Sequence, residues 1–73
     1  MLKRRVRLAL EPLEFELQLN LENNYKDLAK EAFLAYVAEV KRFYDAGEIK
    51  EKDFLKLQDK ISDLAVMFET YHH

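Results

Sequence analysis

Residues 4–21, Arg4-Arg5-Val6-Arg7-Leu8-Ala9-Leu10-Glu11-Pro12-Leu13-Glu14-Phe15-Glu16-Leu17-Gln18-Leu19-Asn20-Leu21, decide how this chain folds. Val6, Leu8 and Leu10 alternate with Arg7 and Ala9. Leu13, Phe15, Leu17, Leu19 and Leu21 alternate with Glu14, Glu16, Gln18 and Asn20. Side chains on a strand point to opposite faces in turn, so the alternation predicts β-structure over residues 4–21, against leucine's mild helix preference. The apolar positions are even before Pro12 and odd after it. A straight strand cannot switch parity, but a hairpin with an even-length loop can, and so can a strand bent or bulged at the proline.

The hairpin, with Leu10 to Leu13 as its loop, sets Ala9 against Glu14, Leu8 against Phe15, Arg7 against Glu16 and Val6 against Leu17. One face is then apolar throughout, and Arg7 with Glu16 makes a favourable cross-strand pair on the other. This register also accounts for a charge polarity. Lys3, Arg4, Arg5 and Arg7 precede residue 11 with no acid among them, and Glu11, Glu14, Glu16 and Glu22 follow with no base before residue 25. The alternative is one long strand, bent at Pro12, that pairs with another subunit.

Downstream the period changes. Tyr25, Leu28, Ala29, Ala32, Phe33, Tyr36, Val37, Val40, Phe43 and Tyr44 recur at helical spacing, with Asn24 as an N-cap and Asp27 near the positive dipole end. This predicts a helix over about 24–46. Gly47, the only glycine, stands where a left-handed residue would end it. A second helix over about 51–71 presents Phe54, Leu57, Ile61, Leu64, Ala65, Phe68 and Tyr71. Lysine is a poor N-cap, so with Lys50 at the cap position the start is fixed instead by Ile49 and Phe54, at the spacing of a hydrophobic staple. So short a connection makes the helices antiparallel neighbours. The expected fold is α+β in ββαα order, a single domain over residues 1–73: a β-hairpin, or one long bent strand, then a two-helix hairpin.

Gly47-Glu48-Ile49-Lys50-Glu51-Lys52-Asp53-Phe54, with Ile61 farther on, resembles the short helical hairpin called SHOCT over about residues 39–64. That pattern runs roughly G-x-I-T-x-x-E-F, followed by a basic helix ending in Leu or Ile. Lys50 replaces the usual capping Thr, and Gln58 stands where Lys is common. The resemblance implies a small interaction or oligomerisation module, with no chemistry attached.

At 73 residues the chain is short, and a domain of this size buries only about 60% of its unfolded surface. Two strands alone would also leave bare edges. A second copy would remedy both, so a homodimer is expected. Leu34 on the first helix, and Leu55 and Val66 on the second, fall outside the intramolecular stripes and are the candidate interface.

The sequence argues against catalysis. Cysteine is absent, Ser62 and Thr70 are the lone hydroxyls of their kinds, and His72 and His73 end the chain, so no nucleophile–base pair is expected. One glycine cannot build a phosphate-binding loop. Glu14 and Glu16 read as solvated strand residues. His72 and His73 read as native sequence or the remnant of a tag, with no function. The aromatic residues read as core. No cofactor, metal or membrane segment is expected, and the localisation expected is cytoplasmic.

The favoured function is a small non-catalytic protein-binding or regulatory module, an adaptor, inhibitor or small subunit with a protein partner, acting as a homodimer. The alternative is a nucleic-acid-binding regulator. A strand followed by two helices is similar to ribbon-helix-helix proteins, and Lys3, Arg4, Arg5 and Arg7 would contact phosphates. Glu14 and Glu16 on the second strand would oppose that contact.

Overall fold

The computed structural model describes the backbone of residues 1–71 and the side chains of residues 1–68. His72 and His73 lie outside the described residues. The fold is three helices: α1 over Arg4–Glu22, α2 over Lys26–Asp45 and α3 over Glu51–Tyr71. The α+β expectation is therefore wrong. There is no strand among the described residues, and residues 4–21 form neither a hairpin nor a bent strand.

The reason lies in the residue types. Leucine, glutamate, arginine and alanine fill most of α1, and all favour helix, whereas Val6 is its one β-branched residue. The alternation does not exclude a helix either. Positions 6, 10, 13, 17 and 21 follow helical spacing, and so do 8, 15 and 19, on nearly the opposite side. An apolar residue at every second position thus becomes two stripes on one helix. Residues 7 or 11 apart share a helix face, which is why Leu8 with Phe15, and Val6 with Leu17, still align. Arg7 and Glu16 are on opposite sides of the helix, so their cross-strand pairing does not exist.

Pro12 sits inside α1. It removes one N–H from the helix ladder and crowds the carbonyl of Leu8. Both residues are exposed, so water can satisfy that carbonyl.

Both turns between helices are Schellman motifs, in which two N–H groups after the helix bond back to its last carbonyls. After α1, the Asn24 amide donates to the Leu21 carbonyl at 3.2 Å and that of Tyr25 to Asn20 at 2.8 Å. Asn24 has φ of 60°, the left-handed conformation that asparagine tolerates. It ends α1 and does not cap α2, whose N-cap residue is Tyr25. After α2, the Gly47 amide donates to Tyr44 at 3.0 Å and that of Glu48 to Phe43 at 2.9 Å, with Gly47 at φ 77°. The Lys50 carbonyl then accepts from Phe54 at 2.9 Å and opens α3. Ile49 is buried in the cluster against which Phe54 packs, as the staple spacing requires.

Short turns fold the chain up, down and up, with α1 and α3 both packed on α2 and α1 the more extensively. The main core joins Val6 and Leu10 of α1, Tyr36, Val40 and Phe43 of α2, Ile49, and Leu57 of α3. Leu17 meets Ala29 and Ala32 in a second cluster, where the alanines let the helices approach. Between α2 and α3, Tyr44 stacks on Phe54 with centroids 3.7 Å apart, and Phe33 meets Phe68 at 5.1 Å. Tyr25 and Leu28, assigned to the core stripe by their spacing, are exposed.

Candidate interaction face

One face of α1 packs inward, and the other carries Leu8, Phe15 and Leu19, which are 60%, 69% and 45% exposed. Pro12, also exposed, stands between them. The steps from 8 to 12, 15 and 19 keep these residues in one line along the helix, the spacing of an apolar seam in paired helices. Transfer of such side chains out of water is worth about 1.5–3 kcal/mol each. This row is consequently a surface with a large unspent capacity for association.

The ends of the row are charged. Arg4 and Arg5 stand at its amino end and Glu22 at its carboxyl end. Both run against the α1 dipole, which favours acids at the N-terminus and bases at the C-terminus. The neighbouring helix α2 has the favourable arrangement, with Asp27 in its first turn and Arg42 in its last. Lys3 and Arg5 each come within 3.6 Å of Glu48, in the turn between α2 and α3. With the Arg5 side chain 78% exposed, its pair with Glu48 is a loose surface contact.

A polar junction lies on the shoulder of α1. The Tyr36 hydroxyl donates to Oε1 of Glu14 at 3.1 Å, and Lys60 reaches the same oxygen from α3. One carboxylate thereby ties all three helices. Burial, together with the charge of Glu14 and the hydrogen bond it accepts, raises the Tyr36 hydroxyl well above the ordinary tyrosine range. Alternation predicts Glu14 as a solvated strand residue beside Glu16. On the helix these two diverge, and Glu14 turns toward the core edge while Glu16 stays exposed. In the first turn of α3, Asp53 accepts from the Met1 amino group at both carboxylate oxygens, at 3.2 and 3.0 Å.

Leu34, Leu55 and Val66 are 56%, 58% and 58% exposed. Leu55 and Val66, about three turns apart, share one outer line of α3, while Leu34 stands on α2. Reasoning from sequence missed Leu8, Phe15 and Leu19 as surface residues, because a strand assigns them to the inner face.

Lys3, Arg4, Arg5 and Arg7 gather around the start of α1, with Lys3 just before it. The ribbon expected to present them to a DNA groove is absent, since the segment is helical. Among the described residues, no group of three or more His, Cys, Asp or Glu side chains is placed to hold a metal ion, and no helix is long and apolar enough to cross a membrane. A shallow groove of about 270 Å³ separates Leu13, Glu16 and Asn20 of α1 from Leu28, Glu31 and Ala35 of α2. It is open, and its two carboxylates lack an opposing cation in the lining.

The fold established is a small three-helix, all-helical domain. No family model matches the chain, and no curated protein or solved structure matches it.

Proposed function

We propose that this chain is a small non-catalytic protein-binding module, of the adaptor, inhibitor or small-subunit kind, that acts as a homodimer. The observation carrying this reading is the exposed row Leu8, Phe15 and Leu19 on a helix whose opposite face buries Val6, Leu10 and Leu17. Bare strand edges do not call for a dimer, because there are no strands among the described residues. An apolar helix face in water does call for one. Such faces, when contiguous and rimmed by charge, mark association surfaces. The likeness of residues 39–64 to a SHOCT hairpin supports the same reading, because the Gly47 turn and the Ile49–Phe54 staple are built as that pattern requires.

Light scattering after size exclusion tests the proposal. At micromolar concentration the mass should approach twice the 8.8 kDa of one chain and fall on dilution. Phe15→Glu should return it to one chain mass with helicity retained. A single-chain mass for the unaltered protein at every concentration overturns the homodimer.

A further inference from the structure

We infer that the partner of the α1 outer face is α1 of a second copy, running antiparallel about a two-fold axis between residues 13 and 14. This rests on the homodimer proposed above and specifies its geometry. Arg5, Leu8, Pro12, Phe15, Leu19 and Glu22 are spaced alternately three and four residues apart, so they form one seam. An antiparallel two-fold arrangement in which paired residue numbers sum to 27 sets Leu8 against Leu19 of the second copy. Pro12 then meets Phe15, and Arg5 meets Glu22, each contact occurring twice.

Charge selects this orientation. A parallel pair would set Arg5 against Arg5 and Glu22 against Glu22, which repel. Antiparallel pairing brings the basic start of each α1, Arg4 with Arg5, to the acidic end of the other. It also explains why α1 carries charges opposed to its own dipole while α2 does not. Those charges cost α1 stability alone, and across the axis each meets its complement. The Arg5 contact with Glu48, at 3.6 Å and largely exposed, does not hold Arg5 away from such a partner. Among the described residues none covers the row, because α3 packs on α2 and not over it.

The chain has no cysteine, so engineered thiols report the register without background. Leu8→Cys and Leu19→Cys chains, each altered only at an exposed position, are oxidised separately and as an equimolar mixture. Disulfides require Cα atoms about 4.4–6.8 Å apart. The expected result is a linked pair in the mixture containing one chain of each kind. Each variant alone should link poorly, because like positions lie about 16 Å apart along the paired helices at a rise of about 1.5 Å per residue. Efficient linking of Leu8→Cys to itself would overturn the antiparallel register. A dimer mass without linking in the mixture would place the interface elsewhere and also overturn it. A single-chain mass for the unaltered protein overturns the homodimer itself, so the two failures are distinguishable.

Discussion

The two faces of α1 carry the same kind of side chain and meet opposite fates. Leu10 and Leu17 are buried to 2% exposure, while Leu8 and Leu19 remain in water on the same helix. The difference arises from α2, which supplies Tyr36, Val40 and the small Ala29 and Ala32 to one side only. Hydrophobicity of the residue thus says little about its role here. Its angular position on the helix decides whether it stabilises the monomer or waits for a partner.

The largest effect should separate the faces directly. Leu10→Ala should cost about 2–5 kcal/mol of stability, because it removes buried methyl groups and leaves a cavity. Leu8→Ala, measured at a concentration where single chains dominate, should stay within about 0.5 kcal/mol. Equal losses in the two melts would erase the distinction between inner and outer faces.

Pro12→Ala comes next, and here the sign matters more than the size. Proline is about 3 kcal/mol less favourable than alanine in a helix interior, so the replacement should stabilise the single chain by up to about that amount. A proline that nucleated a strand turn would give the opposite sign.

Smaller again are the helix ends. Gly47→Val and Asn24→Val should each cost about 1–2 kcal/mol, since both sites are left-handed and a β-branched residue is strained there. A Cβ on Gly47 meets nothing within 4 Å, so the cost at that site is conformational and not steric. A melt of Asn24→Val unchanged from the parent would show that α1 does not end in this way.

The smallest effect is a slope at alkaline pH. Tyr36 titrates above its ordinary range in the folded chain, so between those values the unfolded chain has lost a proton that the folded one keeps. Stability therefore falls as pH rises beyond the ordinary tyrosine range of about 10. Tyr36→Phe should flatten that fall relative to the parent, at the expense of the hydrogen bond to Glu14. Parallel pH profiles for the two chains would mean that Tyr36 does not contribute.

What the sequence revealed was local. Gly47 ends a helix because only glycine takes positive φ without strain, and Ile49 with Phe54 fixes the next start, so the α2–α3 hairpin can be read from a few neighbouring residues. The α1 segment could not be read by periodicity alone. Alternation makes one apolar strand face or two opposed helix stripes, and the same pairs, Leu8 with Phe15 and Val6 with Leu17, align in both. Propensity held the distinction, since Val6 is the single β-branched residue of the segment. Asn24 is ambiguous in sequence, because asparagine serves both as an N-cap and as a left-handed C-terminal residue, and here it is the second. The outer row of α1 and the Glu14 junction are not legible from alternation, because both depend on which way a helix turns each side chain.

Residues 4–22 are one helix continuing through Pro12, with an apolar row on each side. Backbone chemical shifts and nuclear Overhauser contacts across this segment test it most directly. Helical Cα shifts from Val6 to Leu21, with Hα-to-Hβ contacts three residues on, such as Leu13 to Glu16, are the result predicted. Strand-type shifts with a cross-strand Hα contact between Leu8 and Phe15 would contradict it.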